Sequence, residues 1–455
     1  MITVTRMLAR GGSRQERVRG RLMAAGAALA TFLLCAGVNL LAFGRGTRLE
    51  PQLGILVEAP FDYLGVLATQ EARLLTALAL ALLVVPAMAF VHQVSRLATA
   101  TRERRLAALR LAGATPREVR LIGAYESGRQ AFLGGLSGAA LYLVVNLTLS
   151  WSLEGEVPPV PPAQALAILA AVTLGGALAG LMAGRHVVTS PLGVVRRTRP
   201  AGPRALDLLL VAVGAGMVVA GFTAKGRFPG GPYVAVLSVA VGVVLVVFGL
   251  VLGAAWLIRM AARRVGHRTE AAETLLAARM VEADPRGWAR ALSVVGLTVF
   301  FGSAVGAQQG PIFLRGGPGA SYDVTYLLVD LALLVALVTS AAALVVHQAE
   351  ELLDRRRSFA VLAASGTPGS ALGRVLTRQA LIAALPVCAV AAVAGVAMVV
   401  LSLPDVYGQV PEALGFAAGR AVIMAGAGVL AALLVARAAR PILRGALRPE
   451  ELRDE

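Results

Sequence analysis

The chain has 455 residues, of which 57% are hydrophobic and only 15% are charged, with a mean hydropathy of +0.74. So little polar surface excludes a soluble globular protein and predicts a chain that crosses the lipid bilayer many times. The formal net charge of +17 could suggest a nucleic-acid partner. Most arginines, however, lie in alternate loops between apolar segments, as the positive-inside rule requires. We therefore expect contact with the lipid bilayer and no nucleic acid, and both termini in the cytoplasm.

Long apolar segments, taken in chain order, predict about ten membrane helices, because roughly 20 apolar residues are needed to cross the hydrocarbon core. Their approximate bounds are 22–44, 74–97, 128–151, 163–184, 206–222, 233–259, 290–307, 324–346, 378–401 and 414–436. Without the fifth and seventh segments the count would be eight. The loops predicted to be external are short, so the sequence predicts no folded extracellular domain.

An internal repeat divides the chain into related halves. Each copy has an arginine pair followed by a Thr-Pro step: Arg104, Arg105, Thr115 and Pro116 in the first copy, Arg356, Arg357, Thr367 and Pro368 in the second. A register one residue longer, which pairs Gly113 with Gly366, remains open, as does chance similarity between Ala-rich helices. Copies six predicted helices apart point the same way across the membrane. The sequence thus predicts an all-α polytopic fold with four, two and four helices and parallel repeats.

The Thr-Pro steps predict a particular local structure on the cytoplasmic side. Thr115-Pro-Arg-Glu118 has the pattern of a capping box, in which Thr and Glu side chains satisfy free backbone N–H groups at a helix start. We expect the second membrane helix to extend into the cytoplasm as a lever, to break at Gly113-Ala114, and to restart as a short transverse amphipathic helix. The second copy repeats this pattern at Ser365–Pro368 without the glutamate.

Two interpretations of these amphipathic segments are open. They could lie on anionic lipid headgroups, where their arginines bind favourably. Alternatively, they could transmit motion from a soluble motor to the membrane helices. The duplication favours the second interpretation, because a lipid anchor does not need twofold placement.

The segment from Arg102 to Val119, followed by a helix containing Gly134–Gly138, resembles an FtsX-like (MacB-type) ABC permease domain. The residues that fit the family pattern are Ala107, Leu109, Arg110, Gly113, Ala114 and Thr115. The resemblance covers about 74–200 and, more loosely, 326–447. The ten-helix plan is similar to that of bacitracin-export-type permeases, but without their large extracellular domain.

The resemblance implies a division of the chain into consecutive parts. These are an N-terminal tail with the first helix and an external loop (1–73), a first FtsX-like domain (74–200), two central helices (201–289), a seventh helix with its loop (290–325), a second FtsX-like domain (326–447) and a C-terminal tail (448–455).

The resemblance further implies a bacterial inner-membrane location and a separate cytosolic ABC ATPase, acting as a dimer, that holds ATP and Mg²⁺. The sequence agrees, since its one lysine, Lys225, is not part of a G-x-x-x-x-G-K-[ST] phosphate-binding loop. We expect no catalytic residues, cofactor or metal in this chain. The residues expected to contact the ATPase are Gly113, Ala114, Thr115, Pro116, Arg117 and Glu118 in the first half, and Ser365, Gly366, Thr367 and Pro368 in the second.

Polar residues within or near the predicted helices are the other candidate functional residues. Asn39, Asn146, Asp330 and Arg420 could line a conduction path or join helices, and the last two could instead lie at the membrane interface. His92 and His347 are expected to cap helix ends. Gly134–Gly138 is expected to form a close-packing helix face.

Three functions are compatible with these features. The first is an ABC permease that exports, or transmits force to, a lipophilic or peptide substrate. The second is an ion-coupled carrier, which would usually contain several ionisable residues within its helices. The third is a scaffold or sensor that signals to a partner protein without transporting anything.

Overall fold

The computed structural model describes residues 14–42, 47–50, 55–58, 115–152, 160–189, 205–223, 232–314 and 320–440, together with six positions between 80 and 94. Within these ranges, nine helices are long and apolar enough to cross a membrane. The chain divides into two compact units, Met1–Pro200 and Ala201–Glu455. The multi-pass helical character that the composition predicts is thus confirmed.

The described part of the first unit includes three long helices: α1 (Arg14–Ala42), α2 (Pro116–Ser152) and α3 (Pro162–Thr189). Between α1 and α2 lies a short antiparallel hairpin, β1 (Thr47–Glu50) and β2 (Ile55–Glu58), in which Thr47 pairs with Glu58. Most of the predicted helix at 74–97 lies outside the described residues. Six of its positions are described and all are helical: Leu80, Val84, Ala87, Met88, Val91 and Val94.

Small residues set the packing of α1 against α2. Gly134 and Gly138 of α2 lie directly on the backbone of Ala24 and Ala28 of α1, and a Cβ atom at either glycine would overlap the facing carbonyl group. In a membrane, where water does not drive helices together, such close backbone approach is a main source of helix association. The close-packing face predicted at Gly134–Gly138 is therefore present.

The second unit contains the remaining elements. After a 3₁₀ turn at Ala205–Leu208 they are α4 (Leu209–Thr223), α5 (Pro232–Arg268), α6 (Ala272–Ala283), α7 (Pro285–Leu314), α8 (Ala320–Asp354), α9 (Arg356–Ala364), α10 (Gly369–Ser402), α11 (Pro404–Gln409) and α12 (Ala413–Ala438). Helix α7 lies at the centre of this unit, since 89% of its most apolar stretch is buried. It packs against α5, α8, α10 and α12.

Helix α4 with the 3₁₀ turn before it, helix α5 and helix α7 form at the segments predicted at 206–222, 233–259 and 290–307. Each of these spans is long and apolar enough to cross the membrane. The total of ten helices, their four, two and four grouping, and the division into domains stay predictions.

The prediction of short, separate transverse helices after the Thr-Pro steps is wrong. The residues after Thr115 and Pro368 form the first turns of α2 and α10, and each helix then continues without interruption to Ser152 or Ser402. A continuous helix keeps every backbone N–H bonded as the chain passes from water into the bilayer, so a second break would only expose backbone groups.

Helix α6 is an element that the sequence did not predict. It lies in the arginine-rich stretch 259–290, and its buried face consists only of Ala277, Ala278 and Val281. Such a narrow apolar face gives a weak periodic signal, which explains why this stretch looks like a plain polar loop.

Candidate functional site: the two helix breaks

The capping box predicted at the start of α2 is formed. The backbone N–H of Thr115 donates to the carboxylate of Glu118 at 2.8 Å, and the N–H of Glu118 donates to Oγ1 of Thr115 at 3.3 Å. The bond from Thr115 lowers the pKa of the exposed Glu118 carboxyl, because it stabilises the charged form. Arg117 is exposed in the same turn. Gly113, Ala114, Arg104 and Arg105 lie outside the described residues.

The second break has a different geometry. Helix α9 begins at Arg356, continues through Arg357 to Ala364, and ends in a Schellman motif: the N–H of Gly366 donates to the Ala363 carbonyl at 3.0 Å, and the N–H of Thr367 to that of Leu362 at 3.1 Å. Gly366 has a φ of 93°, which favours glycine. Pro368 then precedes α10, and no side chain caps this helix start. The second copy thus has a strong helix stop and a weak helix start.

A hydrophobic cluster fixes the second break. It joins the end of α8, α9, the start of α10 and the end of α12 through Leu352, Phe359, Leu372, Leu376 and Ala439. All five side chains are at most 5% exposed. A displacement of the Gly366 turn would therefore move the helices on both sides of it, since close-packed interiors transmit strain.

Helix α6 contacts this break through charged groups. Glu273 accepts hydrogen bonds from Nε and Nη2 of Arg374, the shortest at 2.7 Å, and lies 3.2 Å from Nη1 of Arg378. The hydrogen bond from Arg374 lowers the pKa of the Glu273 carboxyl. Arg374 lies six residues after Pro368, so α6 holds the first turns of α10 beside the predicted ATPase-contacting residues, of which Ser365, Gly366 and Pro368 are exposed.

Two of the predicted polar residues meet inside the first unit. Nδ2 of Asn39 donates to Oδ1 of Asn146 at 2.9 Å, and the hydroxyl of Tyr142 donates to the same oxygen at 3.1 Å. All three side chains are buried. These residues join α1 to α2, which supports the helix-contact interpretation over a conduction path. Tyr142 was missed because an aromatic residue in an apolar run gives no polar signal.

The other two predicted polar residues form an ion pair in the second unit. Arg420 of α12 donates to the carboxylate of Asp330 of α8. The aliphatic part of Arg420 lies over Gly306 of α7, where a Cβ atom would collide with it. The pair joins α8 to α12, which supports the helix-contact interpretation, and the interfacial placement of these two residues stays a prediction.

The two histidines have different outcomes. His92 lies outside the described residues. His347 does not cap a helix: it lies within α8, is buried, and packs edge-on against Trp288 with ring centroids 5.2 Å apart. Within the described ranges, no group of three or more His, Cys, Asp or Glu side chains is arranged to hold a metal ion.

Comparison with known proteins adds one match. Residues 77–192 match the family model described as FtsX-like permease C-terminal, and this range contains Thr115 and the whole of α2 and α3. No curated protein matches the chain. The second stretch of resemblance, at 326–447, stays a prediction. Residues 77–192 are thus similar to an FtsX-like permease domain, a type of domain found in membrane components of ABC-type systems.

Proposed function

We propose that this chain is the membrane subunit of a bacterial ABC transporter, which couples ATP hydrolysis by a separate cytosolic ATPase dimer to export of, or force transmission to, a lipophilic or peptide substrate. The observation that carries the proposal is the FtsX-like domain at 77–192, with its capped helix start at Thr115. The chain would lie in the inner membrane with both termini in the cytoplasm, as its arginine distribution predicts.

The geometry of α2 suggests how motion would pass through the first half. Its 37 residues form one helix without internal proline, about 55 Å long at 1.5 Å per residue. A push at the capped end near Thr115 would therefore reach the far side of the membrane without a hinge. Gly134 and Gly138 would pass that displacement to α1, because their backbones lie in direct contact with it.

The second half would respond differently. Helix α10 contains Pro386 in its interior, and an internal proline removes one backbone hydrogen bond and favours a kink. Its first turns are also held by Glu273 of α6. The two ATPase contact regions would thus deliver the same stroke to helices of unequal stiffness.

The ion-coupled carrier is less well supported. The carboxylate that best suited that class is Asp330, and it is engaged by Arg420. A carrier needs a carboxylate that is available to bind an ion during transport, whereas Asp330 is already paired with Arg420 of the same chain.

Affinity purification of the tagged chain from its native host, followed by mass spectrometry, tests the proposal. We expect an ABC-type ATPase with a phosphate-binding loop among the retained proteins, and ATP hydrolysis in the eluate. A signalling enzyme as the retained partner, without any ABC ATPase, would contradict it and favour the scaffold or sensor function.

A further inference from the structure

Helix α6 is attached at its start to the first turns of α10, just after the second break. At its start, Glu273 binds Arg374 in a forked arrangement, and Arg378 donates to Oγ1 of Thr274 at 2.6 Å while also facing Glu273. We call Glu273, Thr274, Arg374 and Arg378 the clip. Such forked arginine–carboxylate contacts fix relative orientation as well as distance.

The other end of α6 contacts α10, the hydrophobic cluster and α5. Nε2 of Gln379 donates to Sδ of Met280 at 3.0 Å, and Met280 packs on the hydrophobic cluster that holds the Gly366 turn. Glu282 accepts a 2.8 Å hydrogen bond from Nε of Arg263, near the end of α5. Helix α6 therefore connects the central helix α5 to the start of α10.

The described part of the first unit contains no counterpart of the clip. In the repeat register that pairs Gly113 with Gly366, Leu121 and Tyr125 of α2 occupy the positions of Arg374 and Arg378 in α10. Leu121 is 63% exposed and Tyr125 is 43% exposed. Within the described part of the first unit, no element covers these two side chains as α6 covers the two arginines.

We propose that α6 relays ATPase-driven motion at the second break to the central helix α5, through the clip. The inference rests on the proposed function and adds a specific asymmetry to it. Among the described residues, the first half would meet the ATPase with the capped start of α2, whereas the second half would meet it with a helix start held by α6. The central helices would then move with the second half.

Reversal of the clip charge tests this relay. Glu273→Arg places a third cation beside Arg374 and Arg378, so the clip should open. In the complex with its ATPase, reconstituted in lipid nanodiscs, we expect ATP to be hydrolysed about fivefold more slowly or worse, the lower range for a broken coupling between sites. Adding Arg374→Glu and Arg378→Glu inverts all the clip charges and should restore most of the rate.

Glu270→Arg is the matched control, because Glu270 is exposed, lies just before α6 and takes no part in the clip. It should leave the rate unchanged. A wild-type rate in Glu273→Arg would overturn the proposal, as would a triple variant that recovers nothing although it is purified in normal yield with its ATPase.

Amide hydrogen exchange of the isolated permease separates failure of this inference from failure of the proposed function. Glu273→Arg should speed exchange over 272–283 whether or not an ATPase binds. If exchange rises but the wild-type chain neither binds nor stimulates any ATPase, the clip exists and the relay role falls with the proposed function. If exchange does not change, the clip itself is wrong.

Discussion

Arg420 reaches Asp330 only because Gly306, between them, has no side chain. The pair joins α8 to α12 across Gly306 of α7. The predicted topology places these three residues in the outer half of the bilayer. An arginine side chain there without a carboxylate would remain charged and would need water or lipid phosphate as a partner. The pair thus explains why a costly residue is tolerated at each position.

Removal of one charge should therefore leave the other unpaired, so that the losses from the two single variants do not add. Asp330→Asn or Arg420→Gln should each lower the stability of the purified protein by about 1–3 kcal/mol, as for other hydrogen bonds to charged groups, and the double variant should cost less than the sum. Thermal unfolding in detergent measures this. Glu412→Gln, which changes an exposed acid near the start of α12, is the control. Additive losses would mean that the two residues do not interact.

The polar candidates themselves could be identified from the sequence, but their pairing could not. Asn39 and Asn146 are 107 residues apart, and Asp330 and Arg420 are 90 apart. Periodicity places each residue on a helix but does not say which helix faces it, because that depends on packing. Gly306 offers no signal of its role until the arginine above it is located.

At the scale of whole elements, the contact between α1 and α2 depends on two glycines one turn apart. Gly134→Ala or Gly138→Ala would force the helices apart, which by analogy with other overpacked cores costs about 1–3 kcal/mol. Thermal unfolding should detect the loss. Gly216→Ala in α4 is a suitable control, because a Cβ atom there meets nothing within 4 Å. Equal effects of all three substitutions would show that α1 and α2 do not pack closely.

The capping box makes the start of α2 sensitive to pH. The pKa of Glu118 is lowered in the folded state, so its contribution is present above the unfolded value and is lost as pH falls through the folded value. Amide exchange over the first turn, corrected for intrinsic rates, should therefore accelerate in acid below about pH 4.

Glu118→Gln is the control for this behaviour, since glutamine keeps a hydrogen-bond acceptor but cannot titrate. Its first turn should show little change over the same pH range. An equally strong acid response in both proteins would mean that another group opens the helix start.

Among the elements, the helix starts near the Thr-Pro steps were predictable from the sequence, and the attachment of α6 to α10 was not. Thr115, Pro116 and Glu118 form a local signature, and the structure contains the capping box they predict. Gly366 was expected at a break and occupies it with a positive φ. Helix α6 was missed because its attachment depends on charged residues about 100 positions away in α10, which no local pattern can show.

At the scale of the molecule, the two units share a plan and differ in detail. In both, a helix that follows a Thr-Pro step packs on a neighbouring helix of its own unit through a glycine: Gly134 of α2 on α1, and Gly395 of α10 on the Phe300 carbonyl of α7. Composition and charge alone predicted the membrane class and the direction of the helices. They could not reveal that α6 lies beside the second break.

The proposed function as an ABC permease depends most on the Thr-Pro steps as the place where an ATPase binds. The direct measurement is the amount of ATPase that co-purifies with the chain carrying both Thr115→Arg and Thr367→Arg, compared with wild type and with Thr269→Arg, a threonine outside both steps. We expect the double variant to lose its ATPase while remaining folded and membrane-inserted, and the control to retain it. Full retention by the double variant would contradict the account.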